Sequence, residues 1–276
     1  MALNIPTFFK RLGSSIVFVA IMLTGLLWNE WTFLGLVLLI QMLCLRDYFR
    51  VIQYIDKETP QPLWLQIAIQ LTGVLLVILF SRNSAAAVDN TLWLIAGLLP
   101  IVPAMVLLVS TLSEKDSFFA SLRSFGGLFY ITLPMICLME MRMQGMILPL
   151  SLMLMIWCND TMAYLVGSFI GKHSLSPISP GKTWEGTIGG ALLTIIGACI
   201  YGYFSHTYTF MDWIALALCA TVAGTFGDLL ESKLKRMAGL KDSGNLMPGH
   251  GGALDRFDSL LIAAPFAFVY VSYFMK

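Results

Sequence analysis

Long apolar runs, interrupted at intervals by short polar or charged stretches, occupy most of the chain. A bilayer core about 30 Å thick takes a helix of about 20 apolar residues, and shorter runs are tolerated where flanking residues reach the interface. Nine runs qualify, approximately 12–28, 31–45, 63–80, 91–109, 122–139, 147–166, 187–204, 213–230 and 259–275. The first two are short and separated only by Asn29 and Glu30, so they form either a hairpin or one long broken helix. Trp28 and Trp31 at this break suit a membrane interface. The first run lacks a small-residue cleavage site after it and is expected to be a mature helix rather than a signal peptide. The pattern predicts an all-α, polytopic integral membrane protein with a single membrane domain over residues 1–276. Residues 1–140 supply N-terminal helices, and residues 147–276 form a half with two polar loops.

Composition agrees. The 276 residues are 58% hydrophobic and 12% charged, with a mean hydropathy of +0.79, whereas a soluble domain is about a quarter charged. The five cysteines lie inside apolar runs without a CxxC or Cys/His pairing, so they are expected to be small buried hydrophobes and not zinc ligands. A net charge of +1 gives no global field for nucleic acid, and what matters is where the charges sit. With nine spans and a cytoplasmic N-terminus, inside segments hold 14 of the 17 Lys and Arg residues. Only Arg82, Arg142 and Lys276 fall outside. That asymmetry follows the positive-inside rule and predicts an external C-terminus.

Two of the inside segments carry candidate chemistry. The first runs from Asn159-Asp160 through Gly171-Lys172-His173 to Ser179-Pro180-Gly181-Lys182-Thr183-Trp184-Glu185. Its prolines and glycines forbid a continuous helix and expose backbone N–H groups, while Lys172 and Lys182 add positive charge, a combination suited to phosphate. An ordinary positive turn would look similar, and the glycine spacing before Lys182 is not that of a Walker A loop. In the second, Asp228, Ser232 and Lys235 recur at helical spacing, and Asp255 and Asp258 lie three residues apart at the start of the last helix. Ionised groups at membrane depth cost about 2.5 to 3.5 kcal/mol each, so several acids there call for a partner. A divalent cation would serve, and oxygen-only ligands favour Mg²⁺. The competing reading makes Asp255, Arg256 and Asp258 an interfacial ion-pair network. His250, between two glycines, could be a turn residue, and the methionines of 135–146 are expected to pack rather than bind metal.

These residues resemble the phosphatidate cytidylyltransferase family. The resemblance rests on Ser232, Lys235-Arg236, Lys241-Asp242, His250-Gly251-Gly252 and Asp255-Arg256-Phe257-Asp258. Upstream it includes Asp160-Thr161, Ala163-Tyr164, Gly167, Ser179-Pro180, Lys182-Thr183 and Glu185-Gly186, and it covers roughly residues 157–260. It implies a homodimeric membrane enzyme that transfers CMP from CTP to phosphatidate with Mg²⁺, giving CDP-diacylglycerol and pyrophosphate for phospholipid biosynthesis. The implied location is a bacterial inner membrane with the site on the cytoplasmic side. Asp228, Lys241, Asp255 and Asp258 are then the candidate catalytic residues, with Asp228, Asp255 and Asp258 on the metal. Asp160, Lys172, Ser179, Lys182, Thr183, Ser232, Lys235, Arg236, His250 and Arg256 are the candidate substrate contacts. The chain does not carry the Asp-Gly, Ala-Arg and double-acid pattern of CDP-alcohol phosphotransferases. It also lacks the matching halves expected of an ion-coupled transporter.

Overall fold

The computed structural model describes residues 5–59, 61–81, 117–205, 207–246 and 251–275, so the run 91–109 and His250 lie outside the described residues. Each of the other eight apolar runs falls in a helical segment. These are α1 (Ile5–Leu27), α2 (Glu30–Ile55) and α3 (Leu63–Ser81), then α4 (Ser117–Gly127) continuing through a π-helical stretch (Leu128–Thr132) into α5 (Leu133–Gln144). They are followed by α6 (Ile147–Ile170), α7 (Trp184–Ser205) and α8 (Phe210–Leu218). A second π-helical stretch (Cys219–Ala223) leads into α9 (Gly224–Met237), and α10 (Leu254–Tyr273) completes the set. A two-stranded antiparallel hairpin, β1 (Ser174–Ser176) and β2 (Ser179–Thr183), is inserted between α6 and α7.

Among the described residues six segments are long and apolar enough to cross a membrane, 30–55, 63–81, 120–144, 147–170, 184–205 and 210–237, and one of the nine expected runs, 91–109, lies outside those residues. In α1 the described apolar stretch is Ser15–Leu27, and α10 opens on Asp255, Arg256 and Asp258, which shorten its apolar stretch. The break between α1 and α2 is a true helix boundary. Asn29 Oδ1 accepts the Thr32 N–H at 2.8 Å and Thr32 Oγ1 accepts the Asn29 N–H at 3.0 Å, a reciprocal cap that starts α2 afresh. Trp28 and Trp31 beside it are exposed. The apolar run 213–230 lies in a helix that continues to Met237, because the sequence turns amphipathic there without a helix breaker, which puts Asp228, Ser232 and Lys235 on one helix as their spacing predicts.

Helix α10 is the centre of the bundle, packing against α2, α5, α6, α8, α9 and the second π-helical stretch. Ala263, Ala264 and Ala267 are fully buried and let those neighbours approach closely. On α7, by contrast, Ile188, Leu192, Ile196 and Ile200 form an exposed row at a spacing of four, as a lipid-facing helix surface requires. Cross-links define two ends. At one end Gln144 Nε2 donates to Ser272 Oγ at 3.0 Å and the Tyr270 hydroxyl to Asp212 Oδ1 at 2.9 Å. At the other, Asp47 of α2 bonds the start of α10, Lys182 of β2 pairs with Asp228 of α9, and Arg123 of α4 pairs with Asp56 just after α2. The Thr59 hydroxyl, 2.6 Å from Asp56, and then the Arg123 guanidinium hold the Asp56 carboxyl down at about 2.

The fully buried Trp213 packs edge-on against Tyr201 at 4.7 Å and against Tyr208 at 5.8 Å between ring centroids, joining α7 to α8. Trp213→Ala is expected to lower the unfolding free energy by about 3 to 5 kcal/mol. Denaturant titration in mixed micelles checks this, and a loss below about 1 kcal/mol would show that detergent refills the space.

Candidate active site

At the second end, local chemistry folds the chain back over the bundle. The carbonyl of Gly167 accepts the Gly171 N–H at 3.0 Å, which closes α6. After Pro177-Ile178 the hairpin returns, and the Trp184 N–H donates to the His173 carbonyl at 2.9 Å. Thr183 Oγ1 accepts the Gly186 N–H at 3.1 Å and caps α7. Glu185, in the first turn of α7, clamps the hairpin's approach. Its carboxylate accepts the Lys172 N–H at 3.1 Å and the His173 N–H at 3.2 Å, with His173 Nδ1 at 2.5 Å. The consequence is positional: β2 is held so that Lys182 reaches across to pair with Asp228 on α9.

Between α6, the hairpin and α9 lies a cavity of about 370 Å³, lined among others by Asn159, Asp160, Lys182, Thr183, Thr187, Thr225 and Asp228. This volume is in the range of small-ligand sites. Ser232, one turn beyond Asp228, donates to its Oδ1 at 3.3 Å. Asp258 of α10 is within electrostatic reach of Asp228, Asp160 and Lys182. Three carboxylates thus converge with one lysine, a set that attracts cations and anions together. The Asn159 carboxamide oxygen is buried and has no hydrogen-bond partner among the described residues.

A second cluster sits beside the first. Lys235 Nζ is 2.6 Å from Glu231 Oε2 and 2.6 Å from Asp255 Oδ1. Asp255 Oδ2 accepts the Ser243 N–H and hydroxyl, each at 2.9 Å, and the Gly252 N–H at 2.6 Å. Gly251 enables that wrap with φ = +83°, a backbone conformation costly for other residues. Lys235 and Asp255 are therefore engaged by protein partners.

Asp160, Lys182, Thr183 and Asp228 line the cavity, Ser232 is tied to it through Asp228, and Asp258 is within electrostatic reach of the same charged groups. Among the described residues, the other candidates do not line the cavity. Lys172 is exposed and meets Glu185 through its backbone, and Ser179 begins β2 half-buried. Arg236 Nη1 donates to the Leu240 carbonyl at 3.2 Å, a contact at the C-terminal end of α9. Lys241 and Arg256 are exposed at the same end. Glu231 and Asp47 were not singled out by sequence. For Glu231 the signal existed, since it stands four residues before Lys235 on one helix. Asp47 has no such signal, because its partner is 206 residues away. Among the described residues no three His, Cys, Asp or Glu side chains form a ready-made metal cage. Asp228 and Asp258 still fit Mg²⁺ in its usual mode, with one or two protein carboxylates and the rest water and phosphate oxygens.

The fold and site define a polytopic helical membrane protein with a phosphate-compatible cavity at one end of the bundle. The chain belongs to the cytidylyltransferase family, whose model matches residues 9–274. It is 42% identical over 138 residues to a phosphatidate cytidylyltransferase of Haemophilus influenzae, covering 48% of each chain. It is 39% identical over 170 residues to the protein of that name from Staphylococcus aureus, covering 60% of this chain and 65% of the relative. The Staphylococcus saprophyticus relative is 37% identical with the same coverage. The chain thus spans about half the length of the first relative and just under two thirds of the others.

Removing Lys235 would leave Glu231 and Asp255 facing each other in a buried site. Lys235→Met is expected to cost about 3 to 5 kcal/mol of stability, as when one partner of a buried pair is deleted. Unfolding curves in detergent measure this, and an unchanged midpoint would show that the lysine charge is not needed there.

Proposed function

We propose that the protein transfers CMP from CTP to phosphatidate, producing CDP-diacylglycerol and pyrophosphate. The observation that carries the reading is the cavity itself: Lys182, Asp160 and Asp228 meet there, at the end of a bundle whose flanks face lipid. A water-soluble nucleotide and an amphiphile in the bilayer can both reach such a place. The relatives' names agree with this reading.

The chemistry asks little of a base. A phosphate monoester has a second pKa near 6 and is largely dianionic at neutral pH. One of its oxygens attacks the α-phosphorus of CTP, the bond from that phosphorus to the bridging oxygen breaks, and pyrophosphate leaves with the electron pair. Two polyanions must be brought together and aligned, so positioned positive charge is the main requirement. Lys182 would exchange its Asp228 partner for a substrate phosphate, and Thr183 would orient a phosphate oxygen. Asn159 offers its unpartnered carbonyl to a donor on the nucleotide. Asp228 and Asp258 would hold Mg²⁺, which when bound neutralises phosphate charge. Asp255, engaged by Lys235, Ser243 and Gly252, would act by fixing the start of α10. Lys241, Arg236 and Arg256 would add to the positive field at the same end of the bundle.

The site end would face the cytoplasm of a bacterial inner membrane, because the basic residues concentrate in the segments that gather there. Cysteines introduced at Lys241 and at Arg142 in a Cys-less background should label from opposite sides. Labelling of Lys241→Cys from the outside would reverse the orientation. The homodimer belongs to the same reading, and the mass of the protein in detergent tests it.

Pyrophosphate release by the purified protein should require CTP, phosphatidate and Mg²⁺ together. Lys182→Met should lower kcat/KM on the order of 100-fold with an unchanged melting temperature, as loss of one transition-state contact does. Asp228→Asn and Asp258→Asn should raise the Mg²⁺ requirement. Wild-type kinetics in Lys182→Met would leave the loop with a purely structural role.

A further inference from the structure

The N-terminal half carries none of the motif residues, yet one of its side chains enters the acid cluster. Asp47 of α2 is 1% exposed. Its Oδ2 accepts the Ala253 N–H at 2.6 Å and the Leu254 N–H at 3.4 Å, while Oδ1 lies 3.4 Å from Arg46 Nη2. Ala253 is the N-cap residue of α10, and its methyl group cannot cap the helix. The first N–H groups of any helix lack internal partners, and a carboxylate is favoured there by the helix dipole. Asp47 therefore provides from another helix the cap that α10 does not carry in its own sequence.

The same loop is gripped from two sides. Asp255 takes the Ser243 and Gly252 N–H groups, and Asp47 takes the next two N–H groups along the chain. The Asp47 carboxylate is seated in a notch at Gly244. A Cβ on Gly244 would lie 2.5 Å from Asp47 Oδ1 and 2.8 Å from its Cγ and Oδ2, and these are its three nearest contacts. Asp255 and Asp258 occupy the first turns of α10, so the setting of that helix start decides where both carboxylates point.

Building on the reading under Proposed function, we propose that Asp47 is a positioning residue for the reaction: it locks the first turn of α10, and with it Asp258, in register with Asp228 and Lys182. Asp47 touches no substrate in this arrangement and acts through the backbone of Ala253 and Leu254.

The test uses the full chain in lipid-detergent micelles with Asp47→Asn, Asp47→Ala, Gly244→Ala and the Asp47→Ala/Gly244→Ala double variant. Asp47→Asn keeps the size and one acceptor, so it should remain folded with an intermediate kcat. Asp47→Ala and Gly244→Ala should each lower kcat roughly 100-fold, the scale of a small misplacement of reacting groups. The KM for CTP should stay within about twofold. Amide exchange in the peptide spanning residues 251–255 should speed up about tenfold. The double variant should be no worse than Asp47→Ala alone, because the added methyl has lost the group it strikes. Normal kcat with only a lower melting temperature would overturn the proposal and leave Asp47 a stability cap, and so would two single effects that multiply. If the wild-type protein makes no product from CTP and phosphatidate, the functional reading itself fails. Amide exchange in the same variants then still decides the positioning, and unchanged protection at 251–255 overturns it.

Discussion

Carboxylates at a bilayer boundary persist in charged form only where the protein supplies partners, since a lone buried charge is far costlier than a paired one. This constraint shapes the site end of the molecule. Lys235 stands between Glu231 and Asp255, two acids from different helices, and joins α9 to α10. Lys182 reaches from the hairpin to Asp228, while Asp160 and Asp258 lie close enough to feel the same ammonium. The Lys235 cluster is closed, with Asp255 holding four donors. The Lys182 cluster is left with more acid than base, and it is the one that opens on a cavity.

The two clusters therefore differ in what they can do. A saturated ion pair is a fastening, and exchanging its partners would leave a buried charge alone. An acid-rich set around one lysine can accept a phosphate on the lysine and a cation on the acids without such a loss. The distinction explains why residues of one motif have unlike fates in the fold. Ser232 and Asp228 face the cavity side, whereas Lys235, only three residues further along α9, faces the fastening.

The hairpin and the N-terminal helices serve this arrangement from opposite sides. Glu185 and Thr183 turn the start of α7 into an anchor for the strand that carries Lys182. On the other side Asp47 anchors the start of α10. The less distinctive half of the chain thus supports the motif-bearing half through backbone hydrogen bonds, which leave little trace in residue spacing.

The sequence by itself determined the class of fold, because periodic apolar runs of bilayer length allow hardly any structure other than helices. It also set 157–260 apart from the rest of the chain, since acids, lysines and glycines at fixed spacings stand out there against an apolar background. The i, i+3 and i, i+4 relations among Asp228, Glu231, Ser232 and Lys235 were readable as well, being local to one helix. What only the tertiary structure decided was pairing across helices: Lys182 with Asp228, Lys235 with Asp255, and Asp47 with Ala253. Such contacts depend on how α2, α9, α10 and the hairpin pack, and one-dimensional spacing carries no information about which face of one helix meets another. Hydropathy registers how apolar a run is, whereas α10 owes its central place to its buried alanines and its charged first turn to partners on other helices.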